Sequence, residues 1–554
     1  MRAIQTISIL IYLTISGNNS LYAETSSTIH RDAIVIDTHS DFLDRSEIDG
    51  SGLATDIAGA QTTLGKLKDG DVDAQFFSVF VPPAYEDLGF KAQTDTLIDR
   101  MLSEINTHQN DIELATSVAD IERLANTGKI AALLGIEGGH SLEGSIENLD
   151  HFYQRGVRYL TLSWSNTNAF ADASGGEVTW QGLSPLGEQL IERMNALGMM
   201  VDISHVSDDT FWDVIKKTKT PIIASHSSAR ALADHPRNMS DEMIKALAAN
   251  GGVVQINFYS RYVDLDFLEA FRVFEANNKE RFDALAEAYG DDPVELDKHW
   301  WSLEKEIEAT LTAPTLDQVV DHIVYVIDLV GDDHVGLGSD FDGMGAPPAG
   351  LEHIGKIKGI TDELIARAYS ENTIKKVLGE NTMRVMRENE KFAARSMATE
   401  FWQNLSQACG NEYEGEMTFP TDGQDSFRGK KLIAAFASCA DEQIRVPFTV
   451  GEDTSRTWIF SRYESGIELK HDHRHADGTP DAIHNYGGTT HELGTALSQS
   501  FPADEFTKEL IPAASTNVWT ITLSADLQTL TYHLERHGKP RFTAELVLKT
   551  NSTN

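Results

Sequence analysis

Five side chains with metal-ligating chemistry stand at the ends of apolar runs. His39 and Asp41 form an H-x-D pair at the end of Ala33–His39 (AIVIDTH). Spacing of two on an extended segment puts both on one face, so they can grip one ion. Glu137 ends Ile130–Gly138 (IAALLGIEG), His205 ends Gly198–His205 (GMMVDISH), and His226 lies in Pro221–Ser227 (PIIASHS). The two oxygens of Glu137 can bridge two ions, and His205 and His226 can hold the second. Imidazole with carboxylate suits zinc, or else manganese or cobalt. Two ions about 3.5–4 Å apart can share a bridging hydroxide and polarise a carbonyl, which is metal-assisted hydrolysis. Asp340, in GLGSDFDG, is then the expected general base. Each residue alone is weak: an H-x-D pair is common. A lone buried His is more often a core residue than a ligand. The reading rests on five such groups at the same end of four strands.

The elements that must position them are strand–helix repeats. Four further runs complete a set of eight: Val72–Val81 (VDAQFFSVFV), Val157–Trp164 (VRYLTLSW), Gly251–Phe258 (GGVVQINF) and His334–Gly343 (HVGLGSDFDG). Near-continuous apolar strands suit a parallel sheet covered on both sides. Eight βα units predict a (β/α)8 TIM-type barrel of a metal-dependent hydrolase, with the polar groups at its C-terminal mouth. A doubly wound open sheet is the alternative, but no glycine-rich phosphate loop follows the first strand. Between the last two strands, residues 260–312 form an insertion with helical spacing (FLEAFRVFEANNKERFDALAEAYG). It reads as a solvated helical excursion over the mouth ahead of a lid or dimer contact.

Several motifs together resemble the membrane (renal) dipeptidase family, the M19 peptidases of the amidohydrolase superfamily. They are IDTHSD, GIEGGHSLEG, RYLTLSW, MVDISHVS, SHSSAR, HPRN and GLGSDFDG, in order over about residues 30–390. The resemblance implies two zinc ions per chain, other divalent metals being compatible. His39, Asp41 and Glu137 would bind the first, and Glu137, His205 and His226 the second. It implies that Arg237, in HPRN, holds the substrate carboxylate, for which a guanidinium is suited. Tyr259, after VVQINF, falls where the family often has a site tyrosine. Trp164 stands where the renal enzymes have a histidine. Indole donates one N–H and carries no charge, so the oxyanion donor is altered; Asn166 or Asn168 could supply one. The implied reaction is dipeptide hydrolysis, with a D-residue accepted at the C-terminal position. N-acyl-D-amino-acid deacylation or lactone hydrolysis is the alternative, and a non-catalytic binding protein the second.

The remaining sequence bounds the setting. The chain has 554 residues, 85 acidic against 46 basic, a formal net charge of −39. Such a surface repels phosphate backbones, which argues against nucleic acid as a partner. A homodimer stays open. Residues 1–23 have the layout of a secretory signal, so the protein is expected to be exported, periplasmic or extracellular. No later run reaches roughly 18 apolar residues, so no membrane span is expected. Export makes a Cys409–Cys439 disulfide reasonable. The dipeptidase-like domain is expected over 30–395, and a separate antiparallel β domain, sandwich or small barrel, over 401–554. His471, His473 and His475 alternate there: they could share a face and bind a metal, but a polar hairpin with Asp-Gly turn chemistry is the preferred reading.

Overall fold

A computed structural model describes residues 28–419, 427–463, 466–490 and 494–549. The segment read as a secretory signal, 1–23, lies outside the described residues. Two compact units meet between Asn389 and Glu390.

The first unit is a parallel barrel. Its strands are β1 (Ile36–Asp37), β2 (Ala74–Phe80), β3 (Ile130–Glu137), β4 (Val157–Thr161), β5 (Met200–Asp202), β6 (Ile223–Ala224), β7 (Val253–Ile256) and β8 (Val335–Leu337), paired in that order. A short strand, Ile112–Leu114, adds beside the start of β3. Backbone bonds close the ring from β1 to β8: Thr38 N–H donates to Leu337 O at 3.1 Å, and Asp41 N–H to Phe341 O at 2.8 Å. All eight expected runs become strands, and the open sheet is excluded. Residues on both faces are buried, as a sheet wrapped by helices requires. Ile36, Phe76, Leu133, Tyr159, Met200 and Val253 belong to one buried cluster with Met383 and Met386. Helices Val118–Thr127, Ile146–Gln154, Pro185–Leu197, Asp208–Lys217 and Asp241–Ala249 each open on a serine. Its hydroxyl accepts a first-turn N–H, which ends the preceding loop at a defined residue.

The insertion is helical, as expected, and its first two helices are largely solvent-exposed, but its third is not a solvated excursion. Helices Leu265–Asn277, Lys279–Tyr289 and Pro293–Glu308 share a small core of Phe271, Phe282, Leu303 and Ile307. The third is pinned to the barrel. Buried Glu308 accepts from Tyr259 Oη at 2.7 Å and Gly345 N–H at 2.8 Å, and Lys305 Nζ donates to Asp342 O at 2.7 Å. Alternating charges hid this face, because Glu308 and Lys305 are spent on the barrel rather than on water.

The second unit is an antiparallel, barrel-like sheet. Its strands are β9 (Glu412–Phe419), β10 (Leu432–Ala435), β11 (Gln443–Val450), β12 (Asp453–Tyr463) and β13 (Gly466–His473), then β14 (Tyr486–Thr489), β15 (Ser498–Pro502), β16 (Asn517–Leu523), β17 (Thr529–Arg536) and β18 (Lys539–Leu548). Each pairs with the next in sequence except β14 with β15, β18 returns to β9, and a short strand, Ser438–Ala440, adds beside β11. A bridge between Gly488 and Ala503 joins β14 to β15. Near-closure of the sheet shortens its exposed edge, which is how an all-antiparallel unit limits edge pairing. Cys409 and Cys439 are disulfide-bonded. The three alternating histidines do not share a site. His471 is buried, its Nε2 2.9 Å from Tyr532 Oη and its Nδ1 3.2 Å from Tyr486 O. His475 has left the strand for a tight turn, with its N–H bonded to Thr479 O at 2.9 Å. The segment forms the polar hairpin, closed by a bridge between Arg474 and Pro480.

Candidate metal centre and active site

The strand ends bring the five sequence-marked ligands into one buried cluster. His39 Nε2 lies 3.5 Å from Asp41 Oδ1, 3.4 Å from Glu137 Oε2 and 4.0 Å from Asp340 Oδ1. His205 Nε2 is 2.9 Å from Glu137 Oε1, and His226 Nε2 is 3.5 Å from the same oxygen. The two imidazole nitrogens are 2.9 Å apart. One oxygen of Glu137 thus faces His39 and the other faces His205 and His226.

The outer atoms of the rings settle what the inner ones can be. Tyr159 Oη has one hydrogen, donated to Thr38 O at 3.1 Å, so it accepts from His39 Nδ1 at 3.0 Å. Ser225 Oγ donates to Asp202 Oδ2 at 2.6 Å and accepts from His226 Nδ1 at 2.8 Å. Both rings therefore aim an Nε2 lone pair inward, unless protonated. His39 Nε2 is buried without a hydrogen-bond partner. Lone pairs and carboxylates converging in a buried space need a cation, and this donor set suits a divalent metal. The groups His39–Glu137–His226 and His39–Asp41–Asp340 each come close enough to hold an ion.

Electrostatics agree. Burial favours the neutral form of Glu137, but His39, His205 and His226 hold its carboxyl well below the usual range. Burial lowers His205 to about 3, with help from the Arg237 guanidinium. Burial raises Asp340, against the pull of His226. A carboxyl that takes and returns a proton near neutral pH benefits from that shift.

Local backbone strain sets the side chains. His205 (φ 68°) and Asp340 (φ 67°) are left-handed, a conformation costing about 1–3 kcal/mol per non-glycine residue. A Cβ at Gly343 would come 2.3 Å from Asp41 Oδ2 and 2.9 Å from Asp340 Oδ1. Glycine is required there for the chain to pass under both carboxylates. Asn257 Nδ2 donates to Asp340 Oδ2 at 2.8 Å and orients it.

The other expected residues fall around this cluster. Buried Arg237 donates through Nη2 to His226 O at 3.1 Å and through Nη1 to Ser227 Oγ at 3.4 Å, while its Nε has no partner. No carboxylate of the described residues pairs with it. A cavity of about 500 Å³ opens on the centre, lined by Asp41, Glu137, His205, Asp340, Trp164 and Tyr259. Trp164 packs on Phe80, ring centroids 4.9 Å apart. Tyr259 contributes its ring, since its hydroxyl is committed to Glu308. Asn168 is not a free donor: its amide donates to Leu162 O and its oxygen accepts from Phe170 N–H. Sequence reading missed Tyr159, Asp202, Ser225 and Asn257. The one available signal was polarity inside otherwise apolar strands, as in the Asn of VVQINF.

A parallel barrel with a carboxylate–imidazole cluster at its strand ends defines a metal-dependent barrel hydrolase. Residues 23–400 match the membrane dipeptidase family, peptidase family M19. An uncharacterized dipeptidase of Schizosaccharomyces pombe is 35% identical over 66% of this chain and 82% of its own. Dipeptidase verJ of Clonostachys rogersoniana is 31% identical over 61% of this chain and 79% of its own. Among solved structures, the probable dipeptidase PvdM from Pseudomonas aeruginosa is 27% identical, with a TM-score of 0.59. It aligns with 68% of this chain and 100% of its own. A metallo peptidase from Rhodobacter sphaeroides, liganded with a phosphinate mimic of L-Ala-D-Ala, shares the fold at 22% identity and a TM-score of 0.52, over 65% of this chain and 100% of its own. The chain belongs to the membrane dipeptidase family and is a metallo-dipeptidase.

Proposed function

We propose that the protein is an exported, two-zinc dipeptidase that cleaves the amide bond of dipeptides, including those with a D-residue at the C-terminal position. The observation that carries this reading is the convergence of His39, His205 and His226 on the two oxygens of Glu137. Asp41 and Asp340 stand at the same point. His39, Asp41 and Glu137 would hold one ion, and Glu137, His205 and His226 the other. Two ions there would supply an activated water and a polarised carbonyl. Arg237 holds the free carboxylate of the substrate through the face that includes its unpartnered Nε. Asp340, steadied by Asn257, takes the proton of the attacking water and returns it to the leaving amine. Tyr159 and the Asp202–Ser225 pair keep His39 and His226 in the required tautomer. The Cys409–Cys439 bond supports export, because disulfides persist in oxidising compartments. No helix of the described residues is long and apolar enough to cross a membrane.

The test pairs metal analysis with hydrolysis of L,L- and L,D-dipeptides and N-acyl amino acids. Wild type is expected to hold two equivalents of zinc and to prefer dipeptides. Glu137→Gln is expected to lose metal and at least about 1000-fold in kcat/KM, since the amide keeps one neutral oxygen and cannot serve both ions. A variant with both metals and full activity refutes the mechanism. Faster turnover of acyl amino acids favours the deacylase reading.

A further inference from the structure

One face of helix Pro293–Glu308 looks into the catalytic cavity. Asp297, Trp300, Trp301, Glu304 and Lys305 line it at helical spacing, with Asp44 opposite on the helix that follows β1. The charges divide into two groups. Glu304 is paired with Arg261 at 2.9 Å and accepts from Trp300 Nε1 at 3.1 Å, and Lys305 is committed to Asp342 O. Asp44 and Asp297 have no ion pair or hydrogen bond among the described residues, although both are largely removed from solvent. Burial pushes both carboxyls up to about 6, against the pull of Lys305 at Asp44 and with repulsion from Glu304 at Asp297. Lys305 Nζ lies over the Trp301 ring, 5.7 Å from its centroid, and offsets part of the charge of Asp44. One cation facing two carboxylates leaves net negative charge, which favours a second cation on an apolar stem, with the Trp300 ring as a cation–π face.

Topology assigns this space to one end of the substrate. Arg237 follows β6 and bonds to its neighbour His226, whereas Asp44 follows β1. The metal-ligand cluster lies between these positions on the barrel rim. A dipeptide held by its carboxylate at Arg237, with its amide at the cluster, directs its N-terminal residue toward Asp44 and the insertion helix.

We propose that Asp44, Asp297, Trp300 and Trp301 form the pocket for the N-terminal side chain, and that it selects a long aliphatic chain ending in a cation, as in lysine or arginine. This deepens the dipeptidase reading and rests on it. The test compares Lys-X, norleucine-X and Glu-X dipeptides with X held constant. Norleucine keeps the stem of lysine and removes the charge. Wild-type zinc enzyme is expected to show kcat/KM for Lys-X at least 10-fold above norleucine-X, with Glu-X lowest. In Asp44→Asn/Asp297→Asn the Lys-to-norleucine ratio falls to within twofold of 1. Glu280→Gln/Glu287→Gln, which removes two exposed acids of the same insertion, keeps the ratio and controls for net charge. A wild-type ratio near 1 overturns the proposal. So does an equal loss on every dipeptide in the double variant, which would assign the carboxylates to the substrate's α-ammonium instead. Calorimetry with inert phosphinate analogues of Lys-X and norleucine-X separates the two levels. If no dipeptide is cleaved but the lysine analogue still binds 10-fold tighter, the pocket stands and the dipeptidase reading fails. Equal binding of the two analogues sinks the pocket.

Discussion

Replacing Arg237 with Met tests substrate anchoring most directly. The guanidinium is buried, makes two bonds to its own chain and leaves Nε unpartnered. No carboxylate of the described residues neutralises it, so its charge is kept for a ligand. Losing one partner of a buried, hydrogen-bonded charge pair costs about 3–5 kcal/mol, here charged to the substrate carboxylate. At 1.36 kcal/mol per decade that is roughly 150- to 5000-fold in kcat/KM. The carboxylate is present in both ground and transition states, so most of the loss is expected in KM. The assay is steady-state hydrolysis of a dipeptide and of its C-terminal amide. Wild type should favour the free acid by a factor of that size, and Arg237→Met should lose the preference. Thermal unfolding gives an independent readout. Removing an unpaired buried cation should leave the variant at least as stable as wild type. If wild type cleaves the amide as well as the acid, or the variant loses equally on both, Arg237 is not the carboxylate anchor.

Three further outcomes follow from the same contacts. Tyr159→Phe removes the acceptor for His39 Nδ1 and should weaken metal affinity 10- to 100-fold in competition with a chelator, with the fold intact by circular dichroism. Cys409→Ser opens a loop with a sequence separation of 30. Loop entropy predicts a loss of about 3–4 kcal/mol, read as a lower denaturation midpoint of the second unit. Burial holds His471 down to about 3. A depressed imidazole favours the folded state fully above the unfolded value of about 6.5, and that stability drains as pH falls toward 3, by about 4–5 kcal/mol. His471→Gln should remove this slope between pH 6.5 and 3 in urea titrations, and an unchanged slope would place the titration elsewhere.

The barrel strands were legible because each is buried on both faces and so reads as an unbroken apolar run. The proposed ligands were legible because they interrupt those runs at one end. Tyr159 was not, since an aromatic in VRYLTLSW looks like core until Gly135 is seen to leave space for its ring to reach His39. A Cβ at Gly135 would come 2.0 Å from that ring. The insertion was misread for a related reason. Charge on a helix face suggests water, and only tertiary contact shows that Glu308 and Lys305 are bound to the barrel while Asp297 is left without a partner. The histidine segment of the second unit failed similarly: alternation aligned three rings in sequence, and the turn at His475 carried the third away.

Chain order alone determined the alternation of strands, the chemical types gathered at their ends and the family they resemble, because burial and ligand chemistry act on residues locally. Tertiary structure decided which oxygen of Glu137 faces which histidine, which nitrogen of each ring points inward and which charges stay unpaired. These depend on side chains brought together from distant positions, and no local pattern encodes them.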